Sequence, residues 1–215
     1  MKKTAKATAK KTTAKAKTSR DDKETKTASS TSAKQKQKAS MGYKTENVDD
    51  EGALNDLFYD LLKDIYWAEK FLVKSLPDVE EASTTKELKS AIDEHWTVTK
   101  KQVKKLEQVF AAINEEPAAK KCAAMKGLVE EVNDIIGETD AETLTRDAAI
   151  IIASQKVEHY EIAAYGGLVA LAKALDLNEA ATLLNEILEE EKEADKTLSM
   201  IAEKYHINEE AAQEA

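Results

Sequence analysis

Seven side chains able to ligate a metal, Glu69, His95, Gln102, Glu158, Glu161, Glu191 and Asp195, stand in helical apolar stripes where Leu or Ile would be ordinary. Glu158 and Glu161 are three residues apart and Glu191 and Asp195 four, so each pair shares one face of its helix. Carboxylates grouped with an imidazole are the donor set of di-iron carboxylate bundles, where two divalent ions need several anionic oxygens and bridges. Burying several carboxylates within a few ångströms without a cation costs several kcal/mol each or forces protonation. Metal, proton uptake or a partner lysine must supply the balance.

Four long helices are predicted to position these groups. The first, about 53–82, runs a stripe through Leu61, Ile65, Leu72 and Leu76, with Glu69 on it. The second, about 86–113, has the inner row Leu88, Ala91, His95, Val98, Gln102 and Leu106. The third, about 140–175, aligns Glu158 and Glu161 with Ile151, Ser154, Tyr165 and Leu168. The fourth, about 179–205, reads Leu184, Leu188, Glu191, Asp195, Leu198 and Ala202. Pro77 inside the first stripe is expected to kink that helix or end it early.

Counting from the turns places the acids at one depth. Glu69 lies 13 residues before the first turn, and position 98 lies 13 residues after Thr85, the expected N-cap of the second helix. Glu161 lies 14 residues before the second turn, and Glu191 lies 13 beyond Asn178, the expected N-cap of the fourth. At ~1.5 Å per residue both hairpins deliver their acids to one layer ~20 Å from the turns.

The 215 residues include only 6 Gly and 2 Pro, which suits one mostly helical domain. Net charge of −9 conceals two different materials. Residues 1–39 carry 12 Lys and one Arg against Asp21, Asp22 and Glu24, while the remainder is strongly acidic. The first 40 residues hold no aromatic residue and no Leu, Ile or Val, so they lack the surface to offset backbone ordering. Residues 1–49 are therefore expected to form a disordered basic tail, 50–206 the bundle and 207–215 a C-terminal tail, with His206 at a frayed end. Met41, just before the bundle, is an alternative start. The tail has neither a signal-peptide core nor a transit-peptide pattern, and no run approaches the ~18 apolar residues of a membrane span. A cytoplasmic protein with no membrane partner is expected, and the single Cys122 forms no intrachain disulfide framework.

Between Asn114 and Thr139 a long connector carries the amphipathic run Cys122, Met125, Leu128, Val129 and Val132. It predicts a small crossover helix that lets the third long helix run parallel to the second, as in ferritin-like bundles. His159 falls one position off the Glu158/Glu161 stripe and reads as a packing or hydrogen-bonding residue. Trp67, Trp96, Tyr66, Tyr160 and Tyr165 read as core or interface residues, and Cys122 as a small buried hydrophobe. The sequence shows no phosphate-binding glycine loop, paired-cysteine zinc pattern or nucleophile elbow.

The stretches Asp64-Ile-Tyr-Trp-Ala-Glu-Lys70, Gln102-Val-Lys-Lys-Leu-Glu-Gln-Val-Phe110, Cys122-Ala-Ala-Met-Lys-Gly-Leu128 and Val157-Glu-His-Tyr-Glu-Ile-Ala-Ala-Tyr-Gly166 resemble the YciE/YciF family of ferritin-like domain proteins. The similarity spans roughly residues 54–205 and none of the tail. It implies a small bacterial four-helix bundle linked to stress responses, dimeric, with a di-metal centre. Glu69, His95, Gln102, Glu158, Glu161, Glu191 and Asp195 match the family pattern. One departure stands out: the family's His-Leu-x-Glu-Thr is replaced by His95-Trp-Thr-Val98-Thr99, so Val98 occupies the place of a bridging carboxylate.

The expectation is an all-α, ferritin-like four-helix bundle with a short crossover helix, forming a homodimer and binding iron, in the fullest form a di-iron centre that oxidises Fe(II) with peroxide or oxygen. Another divalent metal is an alternative. A second reading is a metal-free structural or interaction bundle. A third is nucleoid association, in which Lys2, Lys3, Lys6, Lys10, Lys11, Lys15 and Lys17 neutralise DNA phosphates without sequence preference.

Overall fold

The computed structural model describes residues 50–214. Its elements in chain order are α1 (Asp50–Ala82), α2 (Lys86–Ala112), α3 (Ala123–Glu138), α4 (Leu144–Ala174), α5 (Asn178–Lys204) and α6 (Ile207–Ala211). No strand occurs among the described residues, and none of their helices is long and apolar enough to cross a membrane. The nucleic-acid candidates from Lys2 to Lys17, and the tail that carries them, lie outside the described residues.

Helix starts follow local side-chain chemistry. Thr85 and Thr143 cap α2 and α4 by accepting the main-chain N–H of Leu88 and Arg146. Cys122 does more than fill space: its buried sulfur accepts the N–H of Met125 at 3.3 Å and so caps α3. The expected cap of the last long helix shifts by one residue. Leu177 is the N-cap of α5 and makes no side-chain cap bond, while the Asn178 amide turns back to the Asp176 carbonyl at 3.2 Å.

The α1–α2 turn is tied to the start of α4. Buried Asp147 accepts the N–H groups of Thr84 and Thr85 at 2.6 and 2.8 Å, and the Thr84 hydroxyl donates to the Thr143 carbonyl. Helices α2 and α4 therefore start at the same end and run parallel, as the crossover demands. Around the bundle the order is α1, α2, α5, α4, each packed on the next, with α3 against α1 and α4. The Arg146 guanidinium binds the Ile136 carbonyl at 3.0 Å and the Thr139 hydroxyl at 3.2 Å, which fastens α3 to α4.

Several details of the helices differ from expectation. Pro77 does not end α1, which continues to Ala82. A proline leaves the carbonyl four residues earlier without its helical N–H, and the Trp96 indole fills that place on Val73 at 2.9 Å. Leu61 is exposed, and Phe58 and Leu62 take its place in the core, because both 61 and 62 satisfy helical spacing from Ile65. On α2 the buried row is Leu88, Ile92, Thr99, Gln102 and Leu106, which turns Ala91 and Val98 to half-buried flanks, while the His95 side chain stays only 10% exposed and faces the interior. Beyond α5, the described residues 207–214 carry the short α6. His206 adopts a left-handed turn, Ile207 is buried, and the Glu214 carboxylate accepts the N–H groups of Leu144 and Thr145 at 2.7 and 3.0 Å, capping α4 from outside.

Candidate metal centre

Each inner helix brings polar groups to the same layer. Helix α1 contributes Glu69; α2 contributes His95 and Gln102; α4 contributes Glu158 and Glu161, one turn apart; α5 contributes Glu191. His95, Glu158, Glu161 and Glu191 each offer a ligand atom, and these atoms all lie within 4.8 Å of one another. Glu69, Gln102, Glu158, Glu161 and Glu191 are all buried, Glu158 the most exposed of them at 3%.

Two neighbours hold the group in place. The Tyr165 hydroxyl donates to Glu69 Oε1 in a short hydrogen bond. Gln102 Nε2 donates to Glu191 Oε1 at 2.7 Å and to Glu190 Oε2 at 3.3 Å. Orienting bonds of this kind fix the rotamers of ligating carboxylates. Tyr165 reads from sequence as a packing residue; its position seven residues after Glu158, on the same face, is the signal that places its hydroxyl near the acids. Glu190 is a further participant that the stripe pattern omits, since it sits beside the inner row and links Gln102 to Lys105, whose Nζ is 2.6 Å from its Oε1.

With the acids ionised, Glu69 Oε2, His95 Nε2, Gln102 Oε1, Glu158 Oε2, both oxygens of Glu161 and Glu191 Oε2 are buried without a hydrogen-bond partner. Such groups are rare in folded proteins, and each needs a physical account. Burial pushes the Glu69 carboxyl up to about 7, against the pull of its Tyr165 bond, and Glu158 up to about 8. Burial and the facing carboxylates hold Glu161 and Glu191 well above the usual carboxylate range. Burial lowers the His95 imidazole to about 4. The layer thus strongly disfavours its own negative charge and keeps an imidazole neutral, the form that binds metal. Anionic oxygens with one imidazole suit hard or borderline divalent ions such as manganese or iron. The donor set fits a metal.

Not every expected residue joins the group. Asp195 is half-buried, accepts from Gln155 Nε2 at 3.1 Å and lies 3.3 Å from His159 Nε2, so it pairs at the bundle edge. His159 is exposed, in agreement with its place off the stripe. Glu69 approaches Glu161 closely enough for their carboxyls to hydrogen-bond when one is protonated, and Glu158 and Glu191 form a second such pair. Val98 leaves one side without a carboxylate and lines a cavity next to His95 and Glu158.

A family model described as a domain of unknown function, DUF892, matches residues 53–212. The Escherichia coli (strain K12) protein YciF is 43% identical over 150 residues, covering 69% of this chain and 90% of YciF. The chain belongs to the YciF (DUF892) family. The crystal structure of that E. coli protein, described as a stress protein, matches with a TM-score of 0.67 at 43% identity, over 69% of this chain and 94% of YciF. YcfI of Rhodopseudomonas palustris, to which a structural role is ascribed, matches with a TM-score of 0.68 at 37% identity, over 71% of this chain and 97% of its own. A Xanthomonas campestris protein at 21% identity shares the fold, with a TM-score of 0.60 over 75% of this chain and 99% of its own. The YciF-family match covers the bundle and supplies every helix that carries the carboxylate layer.

Proposed function

We propose that this protein is a stress protein of the YciF type whose bundle core binds iron, or another divalent metal, through His95, Glu158, Glu161 and Glu191, with Glu69 completing the layer from α1. The observation that carries this reading is the set of buried, partnerless donor atoms on those side chains. A cation satisfies them together, whereas desolvated carboxylates alone repel one another. When bound, such a metal supplies one-electron chemistry toward peroxide or oxygen. The chain's own residues hold the donors: Tyr165 fixes Glu69, and Gln102 leaves Glu191 Oε2 free by binding Oε1.

The test is anaerobic Fe(II) titration of the purified protein with metal counting after gel filtration, repeated with Mn(II), followed by an optical spectrum after peroxide. Retention of roughly one to two ions per chain is expected, two being the complement of a full carboxylate bundle. Retention that persists in both E161A and E191A would remove these residues from the reading.

A second reading, a metal-free structural bundle, draws on the Glu69/Glu161 and Glu158/Glu191 pairs, since one shared proton per pair relieves much of the repulsion. It requires E161Q to be neutral or stabilising at pH 7 and no metal to be retained. Dimerisation and DNA association through residues 1–39 stand as further proposals. The latter demands retardation of DNA that weakens steeply with salt and disappears when those residues are deleted.

A further inference from the structure

A cavity of 360 Å³ lies against the carboxylate layer and shares His95 and Glu158 with it. Its lining draws on α1 through α5 and is mostly apolar, with Leu72, Leu76, Ile92, Val132, Val157 and Leu198 among its walls. Exposed Glu94 and Glu193 line it on α2 and α5, whereas its α3 residues, Val129 and Val132, are buried. It therefore opens between α2 and α5 and is closed across the bundle by the crossover helix. The space exists because Ala91, Ser154 and Ala194 present small side chains where a packed bundle places Leu or Ile.

A cavity of ~150 Å³ lined by apolar groups already admits benzene, and ligand pockets begin at ~300 Å³. Two features select the occupant. Besides His95 and the buried Glu158, the ionisable lining residues are the acids Glu94, Glu190 and Glu193, which oppose an anionic head group. At the inner wall His95 Nε2 lies 3.5 Å from Glu158 Oε1, and neither that nitrogen nor Glu158 Oε2 has a hydrogen-bond partner. A hydroxyl both donates and accepts, so it serves an imidazole nitrogen and a carboxyl whichever of them carries the proton.

We propose that this cavity binds a neutral molecule with an apolar body, a medium-length alkyl chain or fused aromatic ring, ending in one hydroxyl that reaches His95 and Glu158. Alcohols, phenols and alkyl hydroperoxides share this chemistry. A hydroxyl here would compete with a metal for His95 and Glu158, so the inference concerns the metal-free protein and does not rest on the metal reading; the apolar walls and the small residues that create the space are separate from the rest of the donor set.

The test uses the full chain after chelator treatment, titrated with 1-octanol by calorimetry and by thermal melting, with octanoate and octylammonium as head-group controls. Saturable one-to-one binding of 1-octanol is expected, with octanoate weaker by roughly tenfold, a ~1.4 kcal/mol preference. A194L and A91L, which fill the cavity from two neighbouring helices, α5 and α2, should each weaken 1-octanol binding by roughly tenfold or more while circular dichroism stays unchanged; if one fails to fold, the other decides. Absence of saturable binding, binding untouched by the folded variant, or tighter binding of octanoate or octylammonium would each overturn the proposal. Metal counting on the same variants, which alter no ligand, separates this outcome from failure of the metal reading.

Discussion

The indole Nε1 of Trp96 donates to the main-chain carbonyl of Val73 at 2.9 Å. Pro77 is the residue whose N–H an uninterrupted α1 would have supplied there. The bond lets α1 continue past a proline and fastens α1 to α2 at the residue next to His95. Trp96→Phe should destabilise the protein by about 1–3 kcal/mol in urea melts, the cost of leaving a carbonyl unpaired. Adding Pro77→Ala should recover a substantial part of that loss by restoring the helical donor; no recovery would show that the indole acts through packing instead.

The acid layer sets the pH dependence of the metal-free protein. Glu69 and Glu158 titrate at about 7 and about 8 when folded, above their value of 4.5 when unfolded, so the folded state holds more protons in between. Their stabilising contribution is full below the unfolded value and is lost as pH rises through about 7 to 8. His95, lowered from 6.5 to about 4, works the other way, its contribution being lost as pH falls through about 4. Several carboxyls outweigh one imidazole, so urea melts of chelated protein should show stability falling from pH 5 to pH 8. Saturating metal should flatten or reverse that slope, because ligands are taken deprotonated.

Tyr165→Phe tests the bond to Glu69 without touching a proposed ligand of the four-residue cluster. The phenol stays protonated, held far above its usual range by burial and the facing carboxylates, and its hydrogen bond favours ionised Glu69. Its removal should raise the Glu69 carboxyl further, moving the pH at which stability is lost upward. An unshifted profile would mean that Glu69 does not govern that transition.

Metal counting should separate Glu191 from Asp195, although the two sit one turn apart on α5. Glu191→Ala removes a group within the cluster and should lower retained metal several-fold, whereas Asp195→Ala should leave stoichiometry unchanged. Equal losses would place Asp195 in the site.

At the bundle's end, Asp147→Ala leaves two main-chain donors of the α1–α2 turn unpaired, with an expected loss of about 2–3 kcal/mol by chemical denaturation. Glu214→Ala, which removes a solvent-exposed cap of the same helix, should have a much smaller effect. Comparable effects would show that the C-terminal segment holds α4 as strongly as the buried clamp.

The sequence by itself determined the helices, the crossover and the inner face of α4. Ile151, Ser154, Glu158, Glu161, Tyr165 and Leu168 are all buried as their spacing predicts, because α4 is covered by α1, α3, α5 and α6 and tolerates little rotation. Only the tertiary structure decided the rotation of α1 and α2 and the edge of α5. A period of 3.6 residues leaves two adjacent rows that satisfy the same spacing, so Leu61 or Leu62, and Val98 or Thr99, are equivalent until a neighbouring helix buries one. Asp195 fits the stripe on paper, yet the approach of Gln155 and His159 holds it at the edge, while Glu69 enters the layer through the hydroxyl of Tyr165, 96 residues along the chain. Helical periodicity specifies which way a residue points from its own axis; which acids meet depends on how the axes pack, and that is a property of all the packed side chains together.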